Sequence, residues 1–209
     1  MKQKIGMLLL GFAFLIVIVV CLILQQKVKR DKEALQQEMD KLNIMSIQTK
    51  SGIELETEYI QVDDDLFFVK VPVNFEQLDA DEILQKYPEN APGIVFSNAE
   101  RNVDIFIYMS DGILENEEVK SYQKEIVQFL KQDNKLIDTT YDTIGKHAVA
   151  EVEFTSQEEN QNFYNHTVFF SYDHKLVLIS FQCFENLREE WEPVGEFIME
   201  SLFFTDEGE

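Results

Sequence analysis

The amino-acid sequence predicts an α+β protein, a mainly antiparallel sheet with helices on both faces (an αβα sandwich), preceded by a single transmembrane helix and a helical stalk. Three observations support this class. Residues 5–24 form one apolar run, residues 25–47 are rich in helix formers, and residues 53–204 alternate strand-like and helix-like patterns. A basic tail at 1–4 and an acidic tail at 205–209 complete the chain.

The run at 5–24 is the predicted membrane span. It contains no charged residue and no proline, and as a helix it extends roughly 30 Å, the thickness of a bilayer's hydrocarbon core. Signal-peptide apolar regions are shorter, about 7–15 residues, and end at a small-residue cleavage site that is absent after this run. Cys21 follows Val19 and Val20, which does not fit a lipoprotein signal. We therefore expect an uncleaved anchor that binds the membrane through residues 5–24.

The charges that flank the span do not decide its orientation. Three positive charges precede it and four follow it at 27–32, a difference too small for the positive-inside rule. A short basic tail followed by one large domain is the common architecture of an exported domain. We therefore expect a single-pass protein of the cell membrane whose C-terminal domain is extracytoplasmic.

The stalk at 25–47 carries a narrow apolar stripe. Val28, Leu35, Met39 and Leu42 follow one another at spacings of seven, four and three residues, as in a coiled-coil seam. Only two heptads are present, whereas a dependable coiled coil needs three or four. Two interpretations remain open, a single helical spacer and a weak homodimer through the stalk.

The charge of the chain restricts its partners. The net charge is −21, and residues 1–49 carry seven Lys or Arg against four Asp or Glu, so residues 50–209 carry −24. Such a domain is repelled by nucleic acid, which is therefore not an expected partner. The acidity indicates solubility, a cationic partner or Ca²⁺. Cys183 is the single cysteine of the domain, so no internal disulfide is possible.

Residue patterns predict the elements of the globular domain in order. Period-2 alternation indicates strands, and apolar residues three and four apart indicate helices. After a polar linker at 46–52 we expect strands at 53–62 and 66–71, and then a helix opened by the capping pair Asp79 and Glu82. Strands at 93–97 and 103–110 follow, and then a helix capped by Asn116. The domain ends with four strands at 137–144, 148–154, 163–172 and 176–184 and a closing helix, which is opened by Asn186 and Glu189 and kinked or restarted at Pro193 and Gly195.

The strand at 176–184 is expected to be central. Leu176 and Leu178 make one face apolar, and the odd-numbered residues from 177 to 183 make the other face apolar. A strand that is apolar on both faces is normally covered on both sides. Trp191 and Ile198 of the closing helix are expected to cover the face that contains Phe181.

The chain contains no recognisable catalytic or metal-binding motif. His147, His166 and His174 do not lie at zinc-ligand spacings, and each is expected to be structural or solvated. The acidic turn Asp63–Asp65 has oxygen ligands that suit Ca²⁺ but lacks the spacing of an EF-hand loop. Asn165 begins a glycosylation sequon in the middle of a predicted strand. We therefore predict no catalytic residue, no cofactor-binding residue and no metal ligand.

Four segments resemble the PsbP-like family of αβα sandwiches. They are LFFVKVPVNF at 66–75, IGKHAVAEVEF at 144–154, TVFFSYDHKLVLISFQC at 167–183 and WEPVGEFIMESLFF at 191–204. The resemblance covers most of residues 55–204, and the predicted anchor and stalk lie outside it. Together, the resemblance and the anchor indicate a membrane-anchored bacterial envelope protein. Because members of the family mostly act as binding or assembly modules, the resemblance implies a non-enzymatic role.

The leading hypothesis is a membrane-anchored, non-catalytic module that binds a protein or cell-envelope component at the outer face of the membrane. Two alternatives come from other classes. One is a metal-assisted hydrolase that uses acidic turns such as Asp63–Asp65. The other is a structural subunit of a membrane complex that is joined through the stalk.

Overall fold

A computed structural model describes residues 45–62, 67–89, 91–133, 135–158 and 161–205, together with Lys27 and Lys29, which are helical and exposed. The chain divides into two compact units, residues 1–44 and 45–209. The predicted span, most of the stalk and the turn Asp63–Asp65 lie outside the described residues. None of the helices in the described ranges is long and apolar enough to cross a membrane.

The second unit contains eleven strands and three α-helices within its described residues. In chain order they are β1 (Met45–Gln48), β2 (Glu54–Val62), β3 (Phe67–Pro72), β4 (Glu76–Gln77), α1 (Ala80–Lys86), β5 (Ile94–Ser97), β6 (Val103–Ile113), α2 (Val119–Gln132), β7 (Leu136–Ile144), β8 (His147–Glu158), β9 (Gln161–Tyr172), β10 (Lys175–Phe184), α3 (Arg188–Glu200) and β11 (Phe203–Phe204). Short 3-10 turns at Asn116–Glu118 and Glu185–Leu187 precede α2 and α3.

The strands form two antiparallel sheets, whereas the sequence predicted one. The large sheet has the order β4-β5-β6-β10-β9-β8-β7, and the small sheet has the order β1-β2-β3-β11. The predicted meander of four strands is confirmed, because β7, β8, β9 and β10 are neighbours in sequence order. The first two predicted strands pair with each other and with β1 and β11, so they form a sheet of their own instead of joining the large one.

The main core lies on one face of the large sheet. Strand β10 contributes Val177, Ile179 and Phe181, all fully buried, and α3 covers them with Val194 and Ile198. The small sheet packs against the same core through Phe67, Val69 and their neighbours. The predicted position of Phe181 under the closing helix is therefore confirmed.

The opposite face of the large sheet is covered by α1 and α2. Helix α2 packs on Ala148, Ala150 and Val152 of β8, and α1 packs on Val95 of β5. Between the two helices the face is polar, since β10 turns the buried side chains of Ser180 and Gln182 towards it. The prediction that β10 is apolar on both faces is therefore right for one face and only half right for the other.

Helix α1 begins as the sequence predicted, and α2 does not. Asp79 and Glu82 form a reciprocal capping box at the start of α1. At the start of α2 the predicted cap is Asn116, but its Oδ1 instead accepts a hydrogen bond from the backbone N–H of Ala148 at 2.8 Å. The turn before α2 begins one residue earlier, where the N–H of Glu115 donates to Glu118 at 3.2 Å.

Two other expectations need correction. Residues 45–48 form strand β1, so the helical stalk predicted for 25–47 and the linker predicted for 46–52 both overlap a strand of the domain. Helix α3 continues through Pro193 as one element, so the predicted restart is wrong.

The turn after β1 is bonded to the first turn of α3. The backbone N–H of Lys50 donates to the carbonyl oxygen of Glu190 at 3.1 Å. The N–H and hydroxyl of Ser51 donate to the Glu190 carboxylate at 3.1 and 2.5 Å. The Lys50 ammonium also pairs with Glu189. This group of bonds is called the β1–α3 latch below.

The approach of α3 to β10 gives a first testable prediction. A Cβ added at Gly195 would lie 2.8 Å from Cδ1 and 3.1 Å from Cγ of Phe181. Overpacking of a dense core costs about 1–3 kcal/mol, and alanine returns about 1 kcal/mol in a helix interior. We therefore expect Gly195→Ala to lower the free energy of unfolding by about 1–2 kcal/mol in total.

Denaturant unfolding of the two proteins measures this change. Gly93→Ala is the matched control, because its new Cβ would meet its nearest atom, the carbonyl oxygen of Ile107, at an ordinary 3.9 Å. Equal stability of Gly195→Ala and wild type would contradict the close approach of helix and sheet.

Candidate functional site

The face of the large sheet that carries α3 is exposed towards β7. Helix α3 packs on β9 and β10, and beyond them β7 and β8 present four carboxylates on this face. Asp138 and Asp142 of β7 are exposed, and the side chains of Glu151 and Glu153 of β8 are 31% and 18% exposed. These four residues are called the acidic face.

The register of β7 and β8 places like charges together. Asp138 lies directly opposite Glu153, and Thr140 lies directly opposite Glu151. Directly opposed residues of an antiparallel pair share one face, and like charges in such positions destabilise the sheet. The acidic face therefore concentrates negative charge where the sheet itself gains nothing from it.

Two buried side chains of β9 hold the glutamates in place. Nε2 of His166 bonds to Oε1 of Glu151, and the hydroxyl of Tyr164 donates to Oε2 of Glu153 at 2.9 Å. His166 is 2% exposed and Tyr164 is fully buried. Thr140 adds a third bond by donating its hydroxyl to Oε2 of Glu151 at 2.7 Å. Both carboxylates are thus fixed before any partner arrives.

These bonds also set the charge states. The hydrogen bond from His166, helped by that from Thr140, lowers the pKa of Glu151, although burial opposes the shift. Burial raises the pKa of Tyr164, and the carboxylate of Glu153 raises it further. Glu151 is therefore ionised at neutral pH, and Tyr164 stays protonated as the donor to Glu153.

Arg188, at the start of α3, borders the acidic face. Its guanidinium lies 4.6 Å from the ring centroid of Tyr164 and donates to Oε1 of Glu192 at 2.6 and 3.0 Å. It lies 3.8 Å from Oε2 of Glu153. Because Glu192 is the closer partner, Arg188 leaves most of the charge of the acidic face uncompensated.

The chemistry of this region favours binding of positive charge. Cys183 lies beside Tyr164 on the neighbouring strand, but burial raises the pKa of its thiol to about 12, so the thiol is not a ready nucleophile. Nδ1 of His166 is buried without a hydrogen-bond partner. Among the described residues, no group of three His, Cys, Asp or Glu is arranged to hold a metal ion.

A second polar group lies at the other end of the large sheet, in a cavity of about 120 Å³. There the Lys86 ammonium and the Tyr87 hydroxyl donate to the buried Asp104 at 2.7 and 2.8 Å. Arg101, with a positive φ of 58°, donates to Glu76 and Glu82 at 3.1 and 3.2 Å. Because Lys86 and Arg101 are each paired with carboxylates, this group leaves less uncompensated charge for a partner than the acidic face does.

The residues singled out in the sequence are not brought together. His147 stacks on Phe204 with ring centroids 4.0 Å apart. Nδ1 of His174 lies 2.8 Å from Glu115, a bond that raises the pKa of His174. Asn165 is buried, and its amide group bonds to Ser156 and Gln182, so the sequon asparagine is not an accessible glycosylation site in this fold.

Sequence reasoning missed the acidic face. The alternation of Glu151 and Glu153 with apolar residues was visible and indicated a polar strand face. The register that brings Asp138 opposite Glu153, and the pairing of His166 with Glu151, depend on which strands are neighbours. A possible signal was the second alternation, of Asp138, Thr140 and Asp142, on the adjacent predicted strand.

The described domain is an antiparallel αβα sandwich with a second, smaller sheet, and this architecture can be compared with that of known proteins. No protein-family model matches the chain, and no curated protein matches it either. Among solved structures it is similar to cyanobacterial PsbP (CyanoP) from Synechocystis sp. PCC 6803, with a TM-score of 0.53 and 10% identity. The match covers 75% of this chain and 96% of CyanoP.

Two further solved structures match with lower TM-scores. One is a protein of Bacteroides thetaiotaomicron VPI-5482, at 18% identity, covering 72% of this chain and 49% of that one, with a TM-score of 0.43. The other is LpqN, described as involved in cell envelope biogenesis of Mycobacterium tuberculosis, at 12% identity, covering 72% and 91%, with a TM-score of 0.41. The likeness to CyanoP carries the conclusion that the chain has a PsbP-like fold, as the sequence segments predicted.

The His166–Glu151 bond predicts a pH dependence. A glutamate whose folded pKa is lowered stabilises the fold fully above its unfolded pKa of about 4.5, and this stabilisation is lost as the pH falls through the lower folded pKa. We expect Glu151→Gln to cost about 1.5–3 kcal/mol at pH 6, the range for a hydrogen bond to a charged group.

Denaturant unfolding from pH 6 to pH 3 measures this change. The difference in the free energy of unfolding between Glu151→Gln and wild type should shrink as the pH falls below about 4.5. Glu56→Gln, at an exposed position of β2, should remain close to wild type throughout. A deficit of Glu151→Gln that stays constant down to pH 3 would show that ionisation of Glu151 contributes nothing.

Proposed function

We propose that the chain is a membrane-anchored, non-catalytic binding or assembly module, displayed at the outer face of the membrane, that recognises a positively charged protein or envelope component through its acidic face. The observation that carries this proposal is the pair of glutamates fixed by buried donors. Glu151 and Glu153 are held by His166 and Tyr164 on a part of the sheet that stays exposed.

The PsbP-like fold supports a binding role. Its likeness to CyanoP extends over 96% of that protein, so the domain corresponds to nearly the whole of that fold. The family resemblance implies that such domains act by binding or assembly. The acidic face gives this general role a physical basis, because fixed carboxylates bind cations without first having to be ordered.

The overall charge supports the same partner class. Residues 50–209 carry −24, a field that speeds the approach of a cationic partner and repels anionic ones. Nucleic acid and anionic lipid head groups are therefore poor partners for the domain. The basic residues at 27–32, next to the predicted span, suit a position against the head groups.

The alternatives rest on the sequence alone. The hydrolase hypothesis depends on acidic turns, and Asp63–Asp65 lies outside the described residues. The hypothesis of a structural subunit depends on the stalk, most of which also lies outside them. Neither gains a supporting contact from the described part of the domain.

The predicted display of the domain can be tested by protease treatment of intact cells or spheroplasts that express the full chain. We expect residues 50–209 to be digested without lysis, because a short basic tail followed by one large domain is the common architecture of an exported domain. A cytoplasmic marker protein, protected until lysis, is the control. Complete protection of the domain until lysis would reverse the orientation.

The acidic face can be tested by neutralising its two exposed aspartates. We expect the double variant Asp138→Asn/Asp142→Asn to lose proteins that wild type cross-links in native membranes. The matched control is Glu56→Gln/Glu58→Gln, which removes the same charge from exposed positions of β2. Quantitative mass spectrometry of the cross-linked proteins measures the difference. Equal loss in both double variants would show that general charge, and not the acidic face, holds the partners.

A further inference from the structure

Strand β7 forms one edge of the large sheet. It is nine residues long, Leu136–Ile144, and most of its residues are exposed. Its inner side pairs with β8, and no other described strand pairs with its outer side. An edge of this length presents a row of backbone N–H and C=O groups to which another strand can bond. Natural edges are often blocked by proline, lysine or β-bulges. Strand β7 contains neither proline nor lysine, and its register shift lies at its start, between Leu136 and Asp138.

Hydrogen bonds from helix α2 and to strand β8 hold β7 in place. Nε2 of Gln123 in α2 donates to Oγ1 of Thr139 at 2.8 Å and also to the carbonyl oxygen of Thr140. The hydroxyl of Thr139 in turn donates to the carbonyl oxygen of Glu151 at 2.9 Å. These bonds tie β7 to its helix and to β8. An incoming segment therefore meets an ordered edge, which reduces the entropy lost on binding.

Charge on the edge selects among possible occupants. Asp138 and Asp142 share one face and are four residues apart, a distance along the strand of about 14 Å. If two copies of β7 paired antiparallel about Thr140, Asp138 of each would lie opposite Asp142 of the other. Like charges in that position are destabilising, whereas a Lys or Arg there is favourable. The edge therefore disfavours a second copy and favours a basic strand.

The opposite face of β7 has a different character. Tyr141 lies there, opposite Ala150 and next to the apolar core under α2. Its side chain is 36% exposed, and the Lys120 ammonium lies 4.7 Å from the centroid of its ring. An added strand would place its alternate residues beside Tyr141, where apolar side chains pack well.

We propose that β7 accepts an extended basic segment of a partner protein as an eighth antiparallel strand. Two Lys or Arg four residues apart lie opposite Asp138 and Asp142, with apolar residues between them on the side of Tyr141. Backbone hydrogen bonds to the edge provide affinity, and the acidic face provides the preference for basic segments. This inference rests on the proposed function and names the form in which the cationic partner binds.

The test uses a defined probe, the blocked synthetic peptide Thr-Lys-Val-Thr-Val-Lys-Thr, and the full-length chain in detergent micelles. Hydrogen exchange at the amides of 136–144 reports strand addition, and fluorescence anisotropy reports affinity. We expect the peptide to slow exchange in β7 while leaving exchange in the small-sheet edge strand β1 unchanged. A peptide with Glu in place of both Lys should not bind.

Two comparisons separate edge pairing from charge attraction. The same peptide N-methylated at the positions that face β7 keeps its charge but cannot pair, so it should lose the protection and most of the affinity. The variant Asp138→Asn/Asp142→Asn should bind the unmodified peptide about tenfold more weakly, from the loss of two exposed ion pairs. The control Glu56→Gln/Glu58→Gln should bind as wild type does.

Each other outcome overturns a stated claim. If the N-methylated peptide binds as well as the unmodified one, strand addition is wrong and the cationic binding of the proposed function stands. If the Lys and Glu peptides bind equally or not at all, the proposed function falls with the inference. Protection of β1 in place of β7 would refute the edge proposed here.

Discussion

The contact between Gly195 of α3 and the ring of Phe181 is the constraint on which the domain depends. Phe181 lies on β10, which is central in the large sheet, between β6 and β9. With hydrogen in place of a Cβ at Gly195, the helix approaches the ring closely enough for Val194 and Ile198 to close the core on either side. The small sheet then packs against the same core, so the second layer depends on the same approach.

Much of this fold could be predicted from local patterns in the sequence. The meander β7–β10, the capping box at Asp79 and the burial of Phe181 all depend on neighbours along the chain or on period-2 alternation. The separation of β2 and β3 into a second sheet could not be predicted, because alternation shows that a strand has an apolar face without showing which strands it joins. The predicted helix cap at Asn116 was wrong for a related reason, because its side chain bonds to Ala148, 32 positions away along the chain.

The candidate site was less predictable than the fold because its parts come from separate strands. Glu151 and Asp138 each have the sequence signature of an ordinary solvated strand position. What distinguishes them is the register of β7 on β8 and the buried His166 and Tyr164 of β9, which reach diagonally to the glutamates. His166 was expected to be structural or solvated, and it is structural, but its partner is a carboxylate whose charge it helps to maintain.

The β1–α3 latch has a mechanical consequence. Strand β1 is the first strand of the described domain, and the turn that follows it is bonded to Glu189 and Glu190 of α3. Tension along the chain would therefore not simply peel β1 from β2. It would be shared with the helix that closes the core, so a pull on β1 would be opposed by the packing of Gly195 on Phe181 through a few bonds at the surface.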